Sequence, residues 1–288
     1  MKCLSCPFEC RVDRSSQLGI CRAPAEFKIA TVMAHFWEEP CISGARGSGT
    51  VFFSHCNASC LFCQNYKISQ LDSGKTYSDT EFLSLCEDLV KTSKVHNINL
   101  VSPTHYTARL LRVLPILKER IAVPIVWNSN GYEKYDLVEQ LAGLVDVFLP
   151  DFKYFSDELA LRYSKLPRYF EYASRAITAM HRICGAPVFD EEGIMQRGLV
   201  IRHLVLPGQT GDSKKVLSWI AENIGTEAYI SLMSQYYPVH RAGNHPELNR
   251  TLHREEYQEV EDFCVALGFE NGFLQGLDSN SPDYTPEF

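Results

Sequence analysis

The 288-residue chain has no long run of basic residues, no apolar stretch approaching a membrane span, no internal repeat and no low-complexity tract. Its opening stretch, MKCLSCPFECRVDR, carries no apolar core of signal-peptide length. The formal net charge of −7, with its basic residues dispersed, argues against non-specific attraction to nucleic acid or to an anionic membrane. A cytoplasmic location is the resulting expectation. In such a reducing compartment disulfides are rare, so clustered cysteines point to metal and scattered ones to packing.

Cysteine is what the chain does have, with eleven residues. Seven fall in two clusters before residue 64, and Cys41, Cys86, Cys184 and Cys264 stand alone. Hydrophobic residues at 45% and charged residues at 22% give an ordinary globular balance, enough for one large domain or two smaller ones.

Residues 1–48 show little periodicity and read as a cysteine-rich N-terminal segment. From TVFFS onward, short apolar runs alternate with amphipathic ones. SDTEFLSLCEDLVKTS reads as a helix with Ser78 as N-cap and Glu81 completing a capping box. NINLVS reads as a strand, and YTARLLRVLPILKER as a helix bent or broken at Pro115. Strand VPIVWNS, helix EKYDLVEQLAGL, strand VDVFLP, helices SDELALRYS and EYASRAITAMHRI, strand LVIRHLVLP, helix KKVLSWIAENI, strand AYISLMS and helix REEYQEVEDFCVALG follow. Strands apolar throughout, alternating with helices, predict a parallel α/β sheet or barrel of about six units over residues 49–275. The acidic tail, 276–288, is expected to be a poorly ordered end or a surface strap.

CNASCLFC follows the first strand of this array and so lies on the first βα loop, at the mouth where α/β barrels do chemistry. The spacing lets the thiolates of Cys56, Cys60 and Cys63 converge on one inorganic body. That body could be a zinc ion completed by a distant His, or a [4Fe–4S] cluster with one iron left open. Three core cysteines are the bland alternative.

CNASCLFC, with an aromatic residue before its last cysteine, resembles the cluster loop of radical S-adenosylmethionine enzymes. HFWEEPCISGARGSGTVFFSHCNASCLFCQNYKIS, NINLVSPTHY, VDVFLPDFKY and HPELNR resemble, more narrowly, the PflX-like subfamily related to pyruvate formate-lyase activating enzyme. The resemblance implies a partial (β/α)6 barrel, a [4Fe–4S] cluster on Cys56, Cys60 and Cys63, and S-adenosylmethionine on the open iron. It also implies one-electron cleavage to a 5′-deoxyadenosyl radical that abstracts hydrogen, with electrons from a low-potential flavodoxin or ferredoxin. Cofactor residues would be Phe62 and Asn65 for adenine, Asn128 and Ser129 on the third strand, followed by Asn130 and Gly131, Asp151 and Lys153 on the fourth, and Arg202 for the carboxylate. A buried salt bridge is the dull alternative for Arg202. Relatives end the second strand in a Gly-Gly-Glu motif; here Ser102, Thr104 and His105 stand there, and Thr104 is expected to help hold the methionyl amine. Gln235 or Tyr236 replaces a relative's nucleoside-contacting His, with His240 a weaker candidate.

Cys3, Cys6, Cys10 and Cys21 suit zinc or a second cluster, or no metal at all. Cys86 and Cys264 fall on amphipathic helices and read as core, while Cys41 and Cys184 could be core or hydrogen-atom donors. His35 and Trp37 are expected at the mouth, with Glu38 and Glu39 as surface or substrate-binding acids. Three functions follow as expectations. The chain could be an activase abstracting hydrogen from a partner's glycine, a radical enzyme modifying a peptide or small molecule, or a non-catalytic metal-binding interaction module.

Overall fold

The alternation of strands and helices appears in the fold, a computed structural model whose described residues run from 2 to 276. In chain order it forms β1 (Phe27–His35), α1 (Pro40–Ser43), β2 (Ser48–Phe53), α2 (Tyr66–Gln70), β3 (Lys75–Tyr77), α3 (Asp79–Ser93) and β4 (Ile98–Val101). A 3-10 turn (Thr104–Tyr106) leads into α4 (Thr107–Arg120), followed by β5 (Ile125–Ser129), α5 (Tyr135–Glu139), β6 (Val147–Pro150), α6 (Asp157–Ser164) and α7 (Tyr169–Cys184). Then come β7 (Val188–Phe189), β8 (Met195–Leu204), α8 (Thr210–Asn223), β9 (Tyr229–Met233), a 3-10 turn (Ala242–Asn244), α9 (Arg254–Ala266) and β10 (Gly272–Leu274).

The strand order is β10-β9-β8-β6-β5-β4-β2-β1-β3, with β7 paired to β8 off this path. From β2 to β10 the successive neighbours on that path run parallel. The six expected units therefore stand, and β10 adds a parallel strand beyond them. Among the described residues no hydrogen-bonded ladder joins the two ends of this path, so the barrel is partial. The ladder is thinnest at β6–β8, where two residue pairs and the isolated Asp151–Arg202 bridge make the join.

Several local expectations change. The N-terminal segment is not wholly irregular: β1 pairs antiparallel with β2 and with β3, joining the sheet. Its half-buried alternation was hidden by polar and small residues in FKIATVMAH. The helix at Ser78 has its capping box, but α4 is not broken at Pro115 and continues to Arg120. Pro115 is exposed, so the one carbonyl it deprives of a donor can turn to water. The helix expected over residues 133–144 shrinks to α5, Tyr135–Glu139. The expected tail lies outside the described residues except for Gly276. Among the described residues no helix is long and apolar enough to cross a membrane.

Side chains alternate along each strand, so one set faces the helices and the other the lumen. Ile125, Trp127, Phe148 and Ile201 belong to the large outer core, along with helix residues such as Leu110, Ala176 and Ile177. Val126, Val147, Leu149 and Val200 point the other way and close on Cys41 and Ile42 of α1. Helix α1 thus plugs the lumen at the N-terminal end of the strands. Gly44 caps it with φ 47°, and a Cβ there would fall 2.4 Å from Ile194 Cδ1 and 2.7 Å from His96 Nε2. Only glycine suits that turn. Ile42→Ala should leave a cavity in this plug and cost about 2–5 kcal/mol, seen as a lowered urea midpoint with an unchanged m value.

Candidate active site

Above the plug lies a cavity of about 300 Å³, lined at one end by Cys56, Cys60 and Cys63 and toward the plug by Glu38, Glu39 and Pro40. The cysteine loop is pinned by its backbone. Ser59 N–H donates to Ser164 O at 2.9 Å, Leu61 N–H to Tyr163 O at 2.8 Å, and Arg241 N–H to Leu61 O at 2.9 Å. Each sulfur has a polar neighbour. Asn130 Nδ2 and Ala58 N–H donate to Cys56 Sγ, both at 3.4 Å. Ser164 Oγ donates to Cys60 Sγ at 3.1 Å, and Ser69 Oγ lies 3.3 Å from Cys63 Sγ.

Burial pushes the thiol of Cys56 up to about 11 and that of Cys63 up to about 12, so binding a metal there must release protons. Among the described residues lining the cavity there is no fourth cysteine. Three soft ligands with hydrogen-bonded sulfurs fit a [4Fe–4S] cluster that keeps one iron open.

One tier below sits a charged network. Arg202 on β8 donates from Nε to Asp151 Oδ1 at 2.9 Å, from Nη1 to Glu38 Oε2 at 3.1 Å, and from Nη2 to Asn128 Oδ1 at 2.6 Å. Lys153 Nζ donates to Asp151 Oδ2 at 2.6 Å. Glu38 Oε1 accepts from Asn99 Nδ2 at 2.9 Å and Asn128 Nδ2 at 3.0 Å. Burial raises the Asp151 carboxyl, but Arg202 and Lys153 more than reverse this and hold it below the usual aspartate range. Burial dominates at Glu38 and Glu39, which are both pushed up despite Arg202.

The rim between β5 and β6 is tied by Tyr169, whose hydroxyl bonds to Asn130 O and Asp151 O at 2.9 Å each. Gly131, at φ 75°, passes so close that a Cβ would fall 2.4 Å from Asp151 O.

Of the residues expected to hold the cofactor, Phe62, Asn65, Asn128, Asp151, Lys153 and Arg202 all line the cavity, with Ser129 and Asn130. Thr104 does not. It is buried with its Oγ1 donating to Glu133 Oε1 at 3.0 Å, because Ser102, at φ 57°, turns the chain and keeps the wall position for itself. His105 is also off the wall, its Nε2 3.0 Å from Ser54 O. The salt bridge offered as the alternative for Arg202 is present, to Asp151 and to Glu38.

Gln235 lines the cavity, whereas Tyr236 is buried with its hydroxyl on Leu248 O. His240 stacks on Tyr66 and borders a second cavity of about 270 Å³ behind the cysteine loop. His35 and Trp37 line the main cavity as expected, and so do Glu38 and Glu39, the latter buried and the former with its side chain 9% exposed, so neither is a surface acid. Cys41, Cys86, Cys184 and Cys264 are all buried, and none lines the cavity.

Glu133 went unanticipated: Trp127 Nε1, Thr104 Oγ1 and Ser129 Oγ all donate to it beneath the wall. Asn99 was also missed, although an asparagine inside the apolar run NINLV was a usable signal.

The N-terminal cysteines gather around Arg14. Its Nη2 donates to Cys21 Sγ at 3.4 Å and its Nη1 to His105 O at 2.6 Å. The guanidinium feels Cys21, Cys3 and Cys6, and Cys10 bonds to Cys3. Phe8 packs edge-on to Tyr132 with centroids 5.4 Å apart, seating the segment against the barrel.

The family model for the Radical SAM superfamily matches residues 50–220. Over 268 residues the chain is 33% identical to the Uncharacterized protein MJ0674 of Methanocaldococcus jannaschii, covering 90% of this chain and 72% of that one. The fold is similar to that of SuiB from Streptococcus suis, solved bound to the precursor peptide SuiA, with a TM-score of 0.55, 13% identity and 81% of this chain covered. It is also similar to methylornithine synthase (PylB), with a TM-score of 0.51, 14% identity and 76% coverage. This chain spans 51% of SuiB's length and 62% of methylornithine synthase's. The chain belongs to the radical SAM superfamily. Membership makes it an enzyme and implies a [4Fe–4S] cluster and S-adenosylmethionine.

Asp151→Asn should cost roughly 3–5 kcal/mol at neutral pH, because it strips Lys153 of its carboxylate and leaves Arg202 only Glu38. A carboxyl held below its unfolded value contributes fully above that value and loses the contribution as pH falls through its folded one. The gap in melting temperature between wild type and variant should therefore narrow as pH drops below about 3.9.

Proposed function

We propose that this enzyme cleaves S-adenosylmethionine reductively at a [4Fe–4S] cluster and uses the 5′-deoxyadenosyl radical to take a hydrogen atom from a peptide or small molecule. The observation that carries this is one cavity with three hydrogen-bonded thiols at one end and a buried charged tier beneath them. Bound there, the cluster supplies the electron and the cofactor the radical. Cys56, Cys60 and Cys63 are the ligands. Arg202 and Lys153 offer cationic donors to a carboxylate, Phe62 an apolar face, and Asn65 and Asn128 amides for polar groups.

Activation of a glycyl-radical enzyme is the second reading, favoured by the hydrogen-bond gap at the sheet's ends, through which a partner's loop could reach. A low-potential flavodoxin or ferredoxin would deliver the electron. Arg22, Lys165 and Arg241 bordering the second cavity, which Cys56 also lines, suit an acidic donor. A second metal site, zinc or another cluster, is proposed at Cys3, Cys6, Cys10 and Cys21 from their clustering in the sequence; Arg14, which donates to Cys21 Sγ, would have to withdraw.

The test is anaerobic. Reconstituted protein with dithionite and S-adenosylmethionine should release 5′-deoxyadenosine, while Cys60→Ala should release none. Iron near four per chain would leave zinc for the N-terminal thiols, and near eight would mean a second cluster. Properly reconstituted protein that neither binds nor cleaves S-adenosylmethionine would return the chain to a metal-binding interaction module.

A further inference from the structure

The charged tier does not balance. The cavity is lined by three carboxylates, Glu38, Glu39 and Asp151, against two cations, Arg202 and Lys153. Asp151 takes both cations and Glu38 takes Arg202 and two amides. Glu39 is left over. It is 8% exposed, lines the cavity, and its Oε2 has no hydrogen-bond partner. An unpaired buried carboxylate oxygen is costly to keep, whether the group is charged or protonated.

Nothing in the packing forces an acid at this point. Pro40 follows it and opens α1, and the next turn is apolar plug. Depth also separates Glu39 from the cysteines. Arg202 registers with Ser231 on β9, one inward position below Met233, and Ser231 is the side chain that reaches Glu39. Two strand residues are roughly 6.6 Å of depth. The cysteine loop docks beyond the end of β9, where Gln64 Nε2, next to Cys63, donates to Gln235 O at 2.7 Å, so Glu39 lies on the floor of the cavity and the thiols at its ceiling.

We propose that Glu39, with Glu38 beside it, is a receptor for one positively charged group of the substrate, a primary ammonium such as a lysine side chain or a free amine. The inference deepens the reading above and rests on it: the floor would set which substrate carbon lies under the ceiling. An ammonium offers three donors and one charge, which supplies Glu39 Oε2 with the partner it lacks. A neutral substrate would leave that carboxylate as it now stands, so the floor discriminates by the cost of an unmet charge.

The experiment uses the reconstituted holoenzyme with saturating S-adenosylmethionine and no reductant, so that binding is read without turnover. N-acetyl-lysine N-methylamide and its norleucine isostere are titrated by calorimetry into wild type and Glu39→Gln. The expected result is lysine amide binding at least tenfold tighter than norleucine amide in the wild type, with the preference lost in Glu39→Gln. Glu39→Gln without lysine amide should also melt higher than wild type, because the unmet carboxylate is gone. Equal affinity for the two amides in the wild type overturns the inference, and needs no variant to fold. So does a Glu39→Gln protein that keeps the preference, or one whose only loss is in S-adenosylmethionine affinity, which would assign the carboxylate to the cofactor. Failure to release 5′-deoxyadenosine would sink the reaction instead, and the two failures are read in separate measurements.

Discussion

Arg202 is the side chain on which the rest of the site depends. A guanidinium presents donors in a fixed fork, and here the fork reaches three different parts of the chain: Asp151 after β6, Asn128 on β5 and Glu38 after β1. These contacts fall where the sheet is weakest, at the β6–β8 join. Phe152 N–H adds a backbone bond to Arg202 O at 2.7 Å. The arginine therefore helps join β6 to β8 through its backbone, while its side chain ties three segments together in the cavity wall. Buried charges are tolerable only when paired and hydrogen-bonded, and its own pairing forces the surrounding carboxylates and asparagines into place.

Much of this was legible in the sequence, for a physical reason. Cys56, Cys60 and Cys63 lie close in the chain, so their convergence is local, and the apolar strands declare themselves by composition. Asp151 and Lys153 were expected on one strand face; both line the cavity, but beyond the end of β6, held together by their own ion pair. What escaped was long-range. Glu38 and Glu39 sit in HFWEEP, where nothing local says that the chain doubles back beneath the barrel. Glu133 reads as a helix-start acid until Trp127 and Thr104 close over it. Thr104 shows the converse. It was expected at the cofactor from its place where relatives carry Gly-Gly-Glu, but after the left-handed residue Ser102 its hydroxyl turns to Glu133 instead of the cavity.

Each thiol of the cysteine loop borrows its polar neighbour from a different place: Asn130 after β5, Ser164 at the end of α6, Ser69 in α2. The electronic environment of the sulfurs is thus a property of the whole barrel mouth, and substitutions remote in sequence bear on it.

The plug, finally, shares its stretch of chain with the cavity above it. The ceiling of the cavity is written in the βα loop after β2, while two of the acids beneath it, Glu38 and Glu39, come from the turn between β1 and α1. Segment 38–42 thus faces two ways at once: its acids look up into the cavity, and Cys41 and Ile42 look down into the plug. A shift of that one turn would move both the cavity's lining and the packing that closes the lumen below it.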